Sequence, residues 1–182
     1  MISTNFRILA CTLLTLAVLA AAPARAEVVA ASVNGFEIRH TASIKTTPDK
    51  VYAALLQIGR WWNPQHTWSG DAANLTLDAR PGGCFCEKLA DGGGVQHMSV
   101  TMVMPGTLLR LRGALGPLQS EGVSGSMGWS LKPDDAGTVL TLSYKVGGYA
   151  TRPLTAWAPD VDAMLGEQFG RLKKFIETGK PD

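Results

Sequence analysis

The feature that most constrains the fold is a change of hydrophobic period late in the chain. Strand-like runs separated by turns rich in Gly and Pro span residues 36–45, 74–78, 84–89, 95–104, 108–115, 126–131 and 139–146. Large apolar residues then recur every three to four positions, at Trp157, Val161, Met164, Leu165, Phe169, Leu172 and Ile176. This pattern predicts an α+β domain in which an antiparallel sheet is followed by one long amphipathic helix.

Helix signals follow the first strand-like run and flank the last segment. Thr47 and Pro48 are suited to the cap and first position of a short helix that Gly59 would end, and a second short helix or turn is expected at residues 60–63. The long helix is expected to start near Pro159 and to stop at Gly179. The predicted order is therefore one strand, two short helices, six strands and one long helix.

The segment 1–26 has the composition of a cleavable signal peptide. It carries Arg7, an uncharged run over residues 8–22, and small residues at Ala24 and Ala26, so cleavage is expected between Ala26 and Glu27. The apolar run is short for a membrane span, which needs roughly 20 apolar residues, and an uncleaved anchor is the alternative. We expect a periplasmic or secreted protein whose residues 27–182 form a single domain without a stable membrane span.

The charge of the domain argues against nucleic acid as a partner. The chain has 17 basic and 15 acidic side chains, and cleavage would remove Arg7 and Arg25 and no acidic residue. The remaining domain is formally neutral and has no run of Lys and Arg to neutralise phosphates.

Cys84 and Cys86 lie two residues apart on one face of a predicted strand. In an extended strand their Cα atoms would be roughly 6.8 Å apart, near the outer limit for a disulfide, so a mutual bridge is not expected. A soft-metal or redox site would need further ligands, and no second Cys motif or His-rich segment supplies them. We therefore predict no metal site and interpret the pair as structural.

Among the three histidines and Glu87, His40 and Glu87 are the candidates for proton transfer. His40 falls on the apolar face of the first strand, as a satisfied core histidine or as a proton carrier in a pocket. His97 falls on the polar face of its strand, and His66 lies in a loop. If Phe85 points inward, Glu87 does too. A carboxylate in an apolar cavity would have a raised pKa suited to acid–base work, whereas a solvated or Arg-paired carboxylate is the alternative.

The order of elements and four segments resemble a known superfamily. The segments are TPDKVY at residues 47–52, WW at 61–62, PGGCF at 81–85 and QFGRLKKFI at 168–176. They resemble the START-type helix-grip superfamily, most closely its SRPBCC (polyketide cyclase/dehydrase and lipid transport) family and the Hsp90-ATPase-activator-homologue branch. The resemblance implies a seven-stranded antiparallel sheet wrapped around the long C-terminal helix, with a cavity between them.

The resemblance also implies a function, namely binding of a small apolar or amphipathic molecule in that cavity. The side chains expected to bind it are Trp62, Met102, Trp129, Tyr144, Trp157 and Met164. Its mouth is expected near Trp61, Trp62 and residues 65–70, opposite Trp157. No cofactor is expected, and a protein partner is not identified.

The alternative is a cyclase- or hydratase-type enzyme. Glu87 or His40 would then carry the proton and Tyr144 would donate a hydrogen bond, which requires the three groups to converge on one cavity.

Overall fold

The computed structural model describes residues 25–182, which form one antiparallel sheet and three helices. The strands are β1 (Arg25–Ser32), β2 (Gly35–Ile44), β3 (Leu75–Leu77), β4 (Cys84–Lys88), β5 (Gly94–Met104), β6 (Leu108–Gly113), β7 (Gly122–Asp134) and β8 (Gly137–Tyr149). The helices are α1 (Pro48–Leu55), α2 (Ile58–Trp61) and α3 (Leu154–Thr178). The sheet order is β1-β2-β8-β7-β6-β5-β4-β3. The predicted α+β architecture is confirmed.

The sheet has eight strands, whereas seven were predicted. The additional strand, β1, pairs only with β2 at the edge of the sheet. Its sequence is rich in Ala and lacks an apolar alternation because it contributes few core side chains, and Val29 is exposed. The predicted signal peptide lies mostly outside the described residues. Cleavage between Ala26 and Glu27 would leave residues 27–32 to pair with β2.

A bulge in β5 changes which residues of that strand point inward. The pairing with β6 shifts between Val100 and Met102, and the alternation reverses there. Met98 and Val100 are buried, but Met102 and Met104 are exposed and Val103 packs against the core instead. The prediction that Met102 faces inward is therefore wrong.

Helix α3 lies against the sheet and contacts β2, β1, α1 and α2. It starts at Leu154, earlier than predicted, because Pro159 is accommodated within the helix. Proline at this position removes one N–H from the ladder of helical hydrogen bonds, and its ring crowds the carbonyl of Thr155 four residues earlier. The helix ends at Gly179, which adopts the left-handed conformation (φ 80°), as the sequence predicted. Among residues 25–182, no helix combines the length and apolarity needed to cross a membrane.

Candidate functional site

A cavity of about 590 Å³, partly open to solvent, lies beside the first half of α3. One wall is the segment after α2, a second is the loop between β6 and β7, and the third is α3 itself. The lining residues are Trp62, Gln65, His66, Thr67, Trp68, Phe85, His97, Leu115, Gly116, Pro117, Leu118, Arg152, Trp157, Asp160, Val161 and Met164. Most of this wall is apolar and aromatic, which is typical of small-molecule sites.

Three of the six predicted ligand-binding residues line this cavity: Trp62, Trp157 and Met164. The Trp62 indole N–H donates to the carbonyl of His66 at 3.0 Å, and its ring packs against Phe85. The cavity therefore lies where the sequence analysis placed its mouth.

The other three predicted residues lie elsewhere. Trp129 is buried between Trp61 and Phe169, with ring centroids 6.1 and 6.3 Å away. The Tyr144 hydroxyl donates to the carbonyl of Gly113 and accepts from the N–H of Leu115, both at 3.3 Å. Tyr144 thus fixes the loop that carries Leu115 into the cavity wall. Met102 is exposed on β5, away from the lining residues.

Glu87 and His97 form a buried pair at the cavity wall. Glu87 Oε2 lies 3.0 Å from His97 Nε2 and accepts the backbone N–H of Trp68 at 3.1 Å. Glu87 Oε1 accepts the backbone N–H of Ser69. The carboxylate therefore anchors the loop over the cavity and orients the His97 ring, which packs 4.8 Å from the Phe85 ring.

The inward orientation predicted for Glu87 is confirmed, but the predicted rise of its pKa is wrong. Burial opposes ionisation, but the hydrogen bonds from Ser69, Trp68 and His97 outweigh it and lower the pKa of Glu87. Burial lowers the pKa of His97 more than its contact with Glu87 raises it. At neutral pH the pair is thus a carboxylate beside a neutral imidazole.

His97 was predicted on the polar face of its strand, and that prediction is wrong. The pairing of β4 with β5 shifts between Phe85 and Cys86, so that His97 is the extra residue of a bulge. His97 and Met98 are consequently both buried on the same face. No Gly or Pro between Val95 and Met98 marks this bulge in the sequence.

Cys84 and Cys86 form a disulfide, contrary to the expectation from regular strand geometry. Their Cα atoms are 5.4 Å apart, well within bridging distance. The distance between the two Cα atoms is shorter than in a regular strand at the point where β4 pairs with the bulge of β5, which has one additional residue there. The bridge therefore lies directly behind the segment that turns His97 toward the cavity.

The other two histidines also lie 3.0 Å from a carboxylate oxygen. His66 Nε2 meets Glu167 Oε2 at the rim of the cavity, where both side chains are exposed and Asn63 also contacts Glu167. His40 Nε2 lies 3.0 Å from Asp162 Oδ1, which is an ion-pair contact when His40 is protonated. Burial lowers the pKa of His40 despite that charge.

His40 lies under α3 rather than in the cavity lining. Its ring packs 5.8 Å from Phe169, and a Cβ on Gly166 would come within 3.0 Å of it. The three proton carriers and donors predicted for an enzyme, Glu87, His40 and Tyr144, therefore do not converge. Within residues 25–182, no group of three or more His, Cys, Asp or Glu side chains is placed to hold a metal ion.

Most of the chain matches one known protein family. Residues 35–177 match the family described as polyketide cyclase / dehydrase and lipid transport. The chain belongs to that family. The Hsp90-activator branch remains a prediction. No curated protein is similar enough in sequence to match the chain.

Solved structures share the fold at low sequence identity. Protein CV1439 from Chromobacterium violaceum is 18% identical, with 78% of this chain and 96% of that chain covered and a TM-score of 0.53. CalU16 from Micromonospora echinospora is 13% identical, with 87% and 88% covered and a TM-score of 0.57. DynU16, from the dynemicin biosynthetic locus, is 23% identical, with 80% and 48% covered and a TM-score of 0.56. These likenesses establish a shared fold.

Several lining residues were not predicted from the sequence. The main ones are His97, Phe85, the loop residues Leu115 and Leu118, and Arg152. Arg152 lies 3.9 Å above the Trp157 ring, and its guanidinium is 3.4 Å from Asp160. The sequence signal for this contact was the position of Arg152 just before α3, with Trp157 and Asp160 in the first two turns of that helix.

Proposed function

We propose that the protein binds a small apolar or amphipathic molecule, with an aromatic or extended apolar body, in the cavity beside α3. The observation that supports this most is the wall itself, in which tryptophan, phenylalanine, leucine and methionine side chains surround about 590 Å³. Apolar side chains are usually buried when a chain folds, because contact with water is unfavourable. An apolar cavity that stays open therefore favours a ligand that removes these side chains from water.

The polar groups of the cavity are few and lie on two sides. His97 belongs to the inner wall, while His66, Arg152 and Asp160 lie at or near the rim. This distribution favours a ligand with an apolar body and one or two polar ends. Membership of a polyketide cyclase / dehydrase and lipid transport family supports the same chemical class.

Two methionines make a matched test of the proposal. Met164 lines the cavity, whereas Met102 is exposed elsewhere. We expect N-phenyl-1-naphthylamine, a neutral dye that fluoresces in apolar surroundings, to bind the wild-type protein. Met164→Ala should weaken that binding roughly tenfold, because apolar contact area is lost, and Met102→Ala should leave it unchanged. Absence of dye binding, or an equal effect of both substitutions, would contradict the proposal.

We further propose that the protein is exported. The proposal is supported by the charged start, apolar run and small residues of segment 1–26. Expression of the full chain in a Gram-negative host should give a periplasmic protein whose mass corresponds to a chain beginning at Glu27. An uncleaved chain retained in the cytoplasm or in the membrane fraction would show that this segment is not a cleavable signal.

A further inference from the structure

The Glu87–His97 pair leaves one ring nitrogen available at the cavity wall. Nε2 is engaged with Glu87 at 3.0 Å, and Nδ1 makes no hydrogen bond to any residue that the structure describes. The His97 side chain is 6% exposed, and what remains accessible belongs to the lining of the cavity.

The partners of Glu87 determine which nitrogen of His97 carries the proton. Glu87 accepts hydrogen bonds from two backbone N–H groups, those of Trp68 and Ser69, and these stabilise its charged form. A charged carboxylate can only accept, so the Nε2 that faces it must be the protonated nitrogen. In a neutral imidazole the other nitrogen, Nδ1, then carries a lone pair and can only accept a hydrogen bond.

We propose that His97 Nδ1 is the acceptor for a hydroxyl group of the ligand, and that the cavity selects weakly acidic hydroxyls of the phenol or enol kind. The proposal rests on the proposed function, since it assigns one end of a ligand held in that cavity. The hydroxyl donates to Nδ1, and the proton remains shared between the ligand oxygen and the ring. If it transfers, the ligand becomes an oxyanion and His97 an imidazolium beside the Glu87 carboxylate, so charge is conserved within the site.

Burial strengthens this assignment. The Glu87 side chain is fully buried and that of His97 nearly so, so the acceptor is shielded from water and its hydrogen bond is stronger than at the surface. The rim pair His66–Glu167 has the same 3.0 Å contact, but its side chains are 37% and 42% exposed. Water competes there for every hydrogen bond, so His66 offers a weaker acceptor than His97.

Two naphthalenes that differ in one hydrogen-bond donor test the proposal. 2-Naphthol can donate to Nδ1, and 2-methoxynaphthalene cannot. We expect wild-type protein to bind 2-naphthol about tenfold more tightly, the value of one hydrogen bond in a shielded site. His97→Phe keeps an aromatic ring in the wall and removes the acceptor, so it should bring the two affinities close together. His40→Gln changes a histidine outside the cavity lining and should retain the wild-type preference.

Each outcome separates this inference from the proposed function. Equal affinities in the wild-type protein, or a preference that survives His97→Phe or disappears in His40→Gln, would overturn the assignment and leave apolar binding intact. Failure of both compounds to bind would overturn the proposed function and this inference with it.

A measurement on the wild-type protein avoids dependence on how well His97→Phe folds. Nitrogen-15 NMR should show the Nε2–H form of His97, and 2-naphthol should shift the Nδ1 resonance. A protonated Nδ1 in the free protein, or a Nδ1 resonance that 2-naphthol leaves unmoved, would contradict the proposal.

Discussion

The two halves of the interface between α3 and the sheet are built from the same residue types and differ in what those residues contact. Toward its C-terminal half, α3 packs closely on the core, and Phe169 stacks on Trp129, which in turn contacts Trp61. Toward its N-terminal half, Trp157 and Met164 face the cavity. The closed half provides stability and the open half provides a binding surface.

The comparison shows that aromatic content alone does not distinguish core from cavity. The chain has five tryptophans: Trp61 and Trp129 are in the closed half, and Trp62, Trp68 and Trp157 line the cavity. What separates the groups is the neighbouring backbone. The segment over residues 62–69 is joined to α3 through Asn63 and His66 and to Glu87 through Trp68 and Ser69, and it forms one wall of the cavity.

The largest expected effect is in the closed half. Trp129→Ala removes a side chain that is 3% exposed and packed between two aromatic rings. It should lower the free energy of unfolding by about 3 to 5 kcal/mol, measured by urea denaturation. The control, Trp68→Ala, removes an exposed ring and should change stability by less than about 0.5 kcal/mol. Similar losses for the two variants would mean that the division into halves is wrong.

An intermediate effect is expected from the disulfide behind the cavity. Replacement of Cys84 and Cys86 by Ser together should cost about 1 to 2 kcal/mol, because the bridge closes only a very short loop. Chemical denaturation of this variant, beside wild-type protein with and without reductant, measures the cost. If the variant is as stable as oxidised wild-type protein, the bridge contributes nothing to the fold.

The smallest effect is a dependence of stability on pH that both halves share. Burial lowers the pKa of His97 at the cavity and of His40 under α3 below the ordinary value of 6.5. The unfolded chain therefore binds more protons below about pH 6.5, and stability should fall as the pH decreases from about 7 to 5. Since the pKa of Glu87 is also lowered, a further loss is expected below pH 4.5.

Single variants assign this dependence to the two sites. His97→Gln and His40→Gln should each flatten the change in thermal midpoint between about pH 7 and 5. If neither variant alters the dependence of the thermal midpoint on pH, protonation of these two histidines does not contribute to the pH dependence of stability.

The sequence predicted the order of elements because that information is local. The hydrophobic period, the turn residues and the helix caps each depend on residues close together in the sequence. The end of α3 at Gly179 is an example. The inward orientation of Glu87 followed from Phe85 two positions away. Two bulges in β5 escaped prediction because they depend on pairing with β4 and β6, and they reversed the expected positions of His97 and Met102.

The sequence also did not predict which inward side chains belong to the core and which line the cavity. Trp129 and Tyr144 were expected to bind ligand because both point inward, and the structure buries Trp129 in the closed half and Tyr144 against the loop that carries Leu115. An inward side chain can pack against another side chain or line a cavity. Which of the two occurs depends on the distance between the sheet and loops that are far away in the sequence. Here the loop at Trp68 and Ser69 is joined to Glu87, and the same segment is joined to α3 through Asn63 and His66.

The indole N–H resonances of the five tryptophans give the most direct test of ligand binding in the open half. We expect titration of labelled wild-type protein with 2-methoxynaphthalene to move the signals of Trp62, Trp68 and Trp157 in a saturable way. The signals of Trp61 and Trp129 should stay in place, because both rings lie in the closed half. Saturable shifts confined to Trp61 and Trp129, or no saturable shift of any indole, would contradict the account.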